Sequence, residues 1–204
     1  MTTIVPRNIF QTWKPKEISN PILKAWQASW KLHNPTYTYE LWDDNDNRQF
    51  VVEHFPDFLQ VYDSYDKMIK RADAIRYLYL YKFGGVYADL DFECIRSFEP
   101  ILQFLDNQNI DICLGTIDTS KAASKNYDAH SVPNAIMISK RGAHFWSFVI
   151  GAMIKQRVFN LPPELQTGPV FLNMCISAYA GVRPQIPAVI TGLQPISEAV
   201  SRSD

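Results

Sequence analysis

No charge of one sign dominates this chain of 204 residues: 20 Lys and Arg stand against 21 Asp and Glu, a net charge of −1. Without a basic excess there is no electrostatic footprint for a polyphosphate backbone, so nucleic acid is not an expected partner. Cysteine is scarce. Cys94, Cys113 and Cys175 are odd in number and lack metal-ligand spacing, so they read as buried thiols in a reducing compartment. Long apolar runs are missing as well. The longest, Phe145 to Ile154, is interrupted by Ser147 and Gly151 and falls far below the ~20 residues that cross a bilayer. The opening Met1-Thr2-Thr3-Ile4-Val5-Pro6-Arg7-Asn8 has no apolar stretch of signal-peptide length, so a soluble, cytoplasmic chain without a membrane span is expected.

What is present is a core. Residues of hydrophobic type make up 47% and aromatics 13%, which excludes a disordered chain. A chain of this size typically buries about 70% of its unfolded surface, enough to fold without staples, and residues 1–204 are expected to form a single domain.

Strand and helix signals alternate along the chain. Ile4–Phe10 and Tyr37–Trp42 read as strands, with a helix between them that opens at Asn20-Pro21 and carries Trp26 and Trp30. The run Asp43-Asp44-Asn45-Asp46-Asn47 reads as a helix cap; it lacks the glycine and later Glu of a calcium loop. A long helix is expected over Asp66–Phe83, ended by Gly84-Gly85, and then a strand over Val86–Asp91. Further strands are expected at Ile110–Thr116, Ala135–Ser139 and Ala188–Thr191, and further helices at Pro100–Leu105, Ala143–Ile154 and from Gly168-Pro169 to Tyr179. The polar stretch 118–130 reads as a loop of the kind that forms active-site lids. This alternation predicts an α/β domain with a mainly parallel sheet flanked by helices.

The chemistry concentrates in residues 71–91. On a strand, alternation sends Tyr87, Asp89 and Asp91 to one face. Two carboxylates two positions apart repel each other unless a hard cation bridges them, and oxygen-only ligands favour Mg²⁺ or Mn²⁺. Such a cation suits a diphosphate. On the preceding helix Asp73 and Arg76 are neighbours, three apart, among Ala72, Ile75, Leu78, Tyr79 and Leu80. A charged pair on so buried a helix needs further partners, and sugar hydroxyls would serve.

Residues 72–91 carry the pattern Ala-Asp-x-x-Arg-Tyr-x-x-Leu-Tyr-x-x-Gly-Gly-x-Tyr-x-Asp-x-Asp, and so resemble the Asp-x-Asp sugar-transferase family, glycosyltransferase family 32. That family includes the yeast initiating α-1,6-mannosyltransferase and is related to the catalytic core of the clostridial glucosylating toxins. Residues 5–13, 39–44, 132–142 and 166–172 resemble its other segments more weakly. The resemblance implies a single GT-A (Rossmann-like) domain, a UDP- or GDP-sugar donor, a glycan or glycoprotein acceptor, Mn²⁺ or Mg²⁺, and transfer with retention. It makes Asp91 the direct metal ligand and gives Asp89 the ribose and the metal. It packs Tyr87 near the nucleoside, and sets Asp73 and Arg76 on the donor sugar. Gln11, Thr12 and Trp13 would border the base, with Asn134 and Thr167 toward the sugar and acceptor. It also suits virus-encoded or bacterial surface-glycan transferases, the host cytoplasm being the place expected of a viral one. One departure stands out: no Trp follows Trp146 and no His follows His144, where the family carries diphosphate contacts. The chain is then the N-terminal part of a longer protein, or holds the diphosphate with fewer contacts.

Two other readings compete. A non-catalytic module that binds nucleotide sugars or glycans would fit the short C-terminal segment. A phosphatase of the haloacid-dehalogenase type also uses Asp-x-Asp, but early in the chain, whereas here Asp91 precedes Phe92-Glu93 at mid-chain.

Overall fold

A computed structural model describes residues 4–116, 132–182 and 188–191. The expected lid at 118–130, with its Asp118, Asp128 and His130, lies outside the described residues.

Six strands form one sheet in the order β2-β1-β3-β5-β4-β6. They are β1 (Asn8–Thr12), β2 (Thr38–Trp42), β3 (Gly85–Ala88), β4 (Ile112–Thr116), β5 (Ile136–Ser139) and β6 (Ala188–Thr191). The pairs β1/β2, β1/β3 and β4/β6 are parallel, while β5 runs against both β3 and β4. The sheet is therefore mixed but mainly parallel, with a single reversed strand at its centre.

Side-chain alternation divides the core in two. Phe10, Tyr87, Leu114 and Met137 face one side, where they meet α4 (Met68–Lys82), α6 (His144–Gln156) and α8 (Pro169–Val182). Ile9, Val86, Ala88, Cys113 and Ile138 face the other, against Trp30 of α1 (Pro21–His33) and Leu102 of α5 (Glu99–Asn107). Both cap expectations hold. Asn20 accepts from Ile22 and Leu23 at the start of α1, and Asp43 forms a capping box with Asp46 at the start of α2 (Asp44–His54). The sequence pattern gave no sign of the short helices α3 (Leu59–Ser64) and α7 (Pro163–Gln166). Each is too short to show a period.

Helix α4 is the central pillar, buried from Asp73 to Leu80 without a break. Tyr79 stacks on Phe10 at 3.9 Å between centroids, and Tyr77 stacks on Trp146 at 5.6 Å. The helix ends because Gly84 and Gly85 take positive φ of 70° and 97°. That reversal drops the chain directly into β3. Gly85 also lies so close to β1 that a Cβ would stand 2.6 Å from the Asn8 carbonyl oxygen.

The strand expected over Val86–Asp91 is shorter than anticipated. Pairing stops after Ala88, the Asp89 amide reaches the Ala135 carbonyl at 2.8 Å, and Phe92 closes a turn back to Asp89 at 3.3 Å. Asp91 is thus placed by a turn, not by strand alternation, because Asp-rich four-residue stretches favour turns over pairing.

The Gly85→Ala variant should lose more than about 1 kcal/mol of stability, since both its φ and its space are denied to a methyl group. Gly151→Ala, in the middle of α6 with nothing within 4 Å of the new Cβ, should instead gain roughly 0.5–1 kcal/mol. Urea unfolding of the two variants checks the contrast.

Candidate active site

The site begins with one buried guanidinium. Arg76, 4% exposed, faces three elements at once. Its Nη2 meets Asp73 Oδ1 at 3.0 Å, its Nη1 meets Asp89 Oδ1 at 3.1 Å and donates to the Asn134 carbonyl at 2.7 Å. Its plane also lies over the Tyr87 ring, 4.7 Å from the centroid. Burial alone would depress this guanidinium, but Asp89, Tyr87 and Asp73 more than reverse that and hold it above its ordinary value.

Asp73, 5% exposed, completes its shell inside the protein. Asn134 Nδ2 donates to Oδ1 at 2.9 Å and the Thr167 hydroxyl to Oδ2 at 3.4 Å. Tyr77 ties these together, accepting from Asn134 at 3.1 Å and donating to the Thr167 carbonyl at 2.7 Å. Burial pushes the Asp73 carboxyl up, and Arg76, then Asn134, pull against it. The further partners that this buried pair needs are thus supplied within the fold, by the Asn134 and Thr167 side chains and the Asn134 carbonyl.

In front of this network a cleft of ≈ 380 Å³ opens beyond the ends of β1 and β3. Thr12, Trp13, Arg76, Tyr87, Asp89 and Asp91 line it, as the sequence led one to expect. Gln11, Asp73, Asn134 and Thr167 do not. Gln11 is fully buried behind the turn: it donates to the Asp89 carbonyl at 3.1 Å and accepts from the Tyr39 hydroxyl at 2.6 Å. These four hold the wall in place from behind. The cleft also contains Lys14, Asp44, Met68, Ile69, Ala72 and Leu90, none of which was singled out. Asp44 could have been read from its place after β2, and Met68 and Ile69 from their place one turn before Ala72. Tyr77, missed too, was marked only by its adjacency to Arg76.

Asp89 and Asp91 present the acceptor-only oxygens that a hard cation takes. The Tyr87 hydroxyl donates to Asp89 Oδ1 at 2.5 Å, so that oxygen is already engaged by Tyr87 and Arg76. Asp91 opens to solvent and forms no ion pair among the described residues. Partial desolvation in the cleft and then the charge of Asp89 push its carboxyl up. This mutual repulsion is what a bridging cation would relieve. No group of three or more His, Cys, Asp or Glu side chains suited to an ion occurs among the described residues. Two carboxylates fit Mg²⁺ or Mn²⁺ all the same, because such ions keep several waters and bind through one or two carboxylates together with substrate phosphates.

The mainly parallel sheet, its reversed strand and the Asp-x-Asp turn at the tip of β3 define a GT-A glycosyltransferase fold. The resemblance read from residues 72–91 is borne out: residues 23–109 match the family described as a glycosyltransferase sugar-binding region containing the DXD motif. Inositol phosphoceramide mannosyltransferase 2 of Schizosaccharomyces pombe is 40% identical over 199 residues, 96% of this chain and 53% of that protein. Its paralogue, inositol phosphoceramide mannosyltransferase 3, is 34% identical over 180 residues, 86% of this chain and 46% of that one. The initiation-specific alpha-1,6-mannosyltransferase of Candida albicans is 31% identical over 112 residues, 52% of this chain and 28% of it. The chain thus spans about half the length of the first two. Among solved structures, the PaToxG glycosyltransferase superposes with a TM-score of 0.61 at 18% identity, over 88% of this chain and 70% of that one. The UDP-bound glycosyltransferase domain of the YGT toxin gives 0.55 at 11% identity, over 93% and 80%. The catalytic domain of alpha-toxin from Clostridium novyi gives 0.54 at 10% identity, over 100% and 77%. At these identities the likeness is one of fold.

The second row of the site should be read in stability. Asn134→Ala removes the donor to Asp73 and one contact of Tyr77, and should cost about 1–3 kcal/mol. Unchanged urea unfolding would show that Asn134 does not support Asp73.

Proposed function

We infer that this chain transfers a hexose from a nucleotide-sugar donor, a UDP- or GDP-sugar, to a glycan or protein-linked acceptor, with retention and with Mn²⁺ or Mg²⁺ held at Asp89 and Asp91. The observation that carries the reading is that both carboxylates of the Asp-x-Asp turn open into one cleft with Arg76, Thr12 and Trp13. Relatives named as mannosyltransferases support a hexose, and mannose first among them.

The residues divide the work by position. Trp13, half in the cleft wall and 37% exposed, offers a flat apolar face for a nucleoside base. Asp91 and Asp89 carry the oxygens that would hold the cation, which when bound would neutralise charge on the departing diphosphate. Arg76 presents a fixed positive charge to the same wall, already oriented by Asp73 and Asn134, so it costs no reorganisation at the moment of reaction. In retention, the acceptor oxygen bonds to the anomeric carbon on the face the diphosphate leaves. The acceptor proton passes to a departing diphosphate oxygen. No side chain is needed as base, and of the described histidines, His33, His54 and His144, none lines the cleft. A reducing, cytoplasmic setting is part of this proposal, resting on the burial of Cys94, Cys113 and Cys175.

A thermal-shift screen of UDP- and GDP-sugars with and without Mn²⁺ tests donor binding, because a ligand that binds the folded state raises its melting temperature by mass action. The expected result is a metal-dependent rise with one class of donor, abolished in Asp91→Asn. Release of free sugar or of a glycoside with retained anomeric configuration, read by NMR, then separates the transferase from a binding module. An inverted product would contradict the mechanism.

A further inference from the structure

The geometry points to a membrane-docking surface beside the cleft, a cationic, apolar patch that seats on the headgroup region of an anionic lipid bilayer. Its tip is the turn that follows α6, where Val158 is 72% exposed and Phe159 58% exposed. Two adjacent apolar side chains so open at a turn tip lose free energy in water for no gain within the fold. A second element stands next to it. Met68 and Ile69, exposed at the start of α4, precede Lys70, whose ammonium donates to Asn160 Oδ1 at 3.1 Å. That bond holds the first turn of α4 against the Val158-Phe159 turn. From the other side Gln166 Nε2 donates to the Phe159 carbonyl at 2.6 Å and brings α7, with its exposed Leu165, to the same surface.

The charges around the patch name the partner. Lys67, Lys155 and Arg157 flank the apolar residues in sequence, are exposed, and form no ion pair among the described residues. Of the carboxylates on and beside these elements, Asp66 is already paired with Lys70 at 2.7 Å and Asp73 is buried against Arg76, which leaves Glu164 exposed on α7. Exposed apolar side chains close in sequence to cations without an ion pair match an interface that is negative at its surface and apolar beneath. Met68 and Ile69 also line the cleft, so the α4 part of the patch stands at its wall. A docked chain would open its cleft at the bilayer surface.

Vesicle co-sedimentation tests this without any nucleotide sugar, so its outcome is independent of the sugar-transfer reading. The wild-type chain should sediment with phosphatidylcholine vesicles that contain phosphatidylserine, much less with phosphatidylcholine alone, and less again at raised salt. The Val158→Ser/Phe159→Ser variant should lose about tenfold or more of that binding, in keeping with one or two buried apolar side chains. Its unchanged thermal unfolding and metal-dependent donor shift would show that fold and cleft are intact. Lys155→Gln/Arg157→Gln should weaken binding to the anionic vesicles alone. Wild-type protein that stays in the supernatant with both vesicle types would overturn the proposal and leave the patch to a protein partner, as would equal sedimentation of the Val158→Ser/Phe159→Ser variant.

Discussion

A guanidinium with almost no access to solvent must be neutralised where it stands, and Arg76 imposes that condition on the whole fold. A buried cation without anions around it costs several kcal/mol, so its position fixes where carboxylates have to be. Asp73 answers from the same helix and Asp89 from the turn after β3. The Asn134 carbonyl answers from the segment that leads into β5. Three parts of the chain, distant in sequence, are thereby held to within hydrogen-bond length of one side chain. The cleft wall is the outer side of that arrangement.

This explains how a short turn can carry the carboxylate pair proposed for the cation without being loose. Asp89 is gripped at its carbonyl by Gln11 and at its carboxylate by Tyr87 and Arg76. Its amide is taken by the Ala135 carbonyl. Asp91, two residues on, is left open to the cleft. One carboxylate is anchored and the other is available, a division of labour that suits the proposed binding of a cation together with a substrate's phosphates. The turn in turn rests on β3, and β3 can start where it does only because Gly84 and Gly85 end α4 with positive φ.

Much of this was legible in the residues. The Asn20 and Asp43 caps, the Gly-Gly stop and the alternation of Tyr87 against Val86 and Ala88 are local signals, and local signals survive into the fold. The Asp-x-Asp pair and the Asp73–Arg76 spacing marked the site. What the chain could not display was depth. Gln11, Asp73, Asn134 and Thr167 are polar residues of the kind that touch ligands, yet they do not line the cleft, and only the packing of β1, α4, the lead into β5 and the end of α7 decides that. The turn at Asp89 was hidden for a related reason, since strand alternation and a tight turn begin with the same residues. Asp44, Met68 and Ile69 reach the cleft by tertiary arrangement, with no motif to announce them.

The central claim is that Arg76 and Asp73 act as one charge-balanced unit supporting the cleft wall. A double-mutant cycle in urea unfolding tests it most directly. Arg76→Met should cost about 3–5 kcal/mol, because Asp73 is left as an uncompensated buried charge. In an Asp73→Asn background the same substitution should cost at least about 1 kcal/mol less, a coupling of the size seen between groups in one network. Costs that simply add would contradict the account.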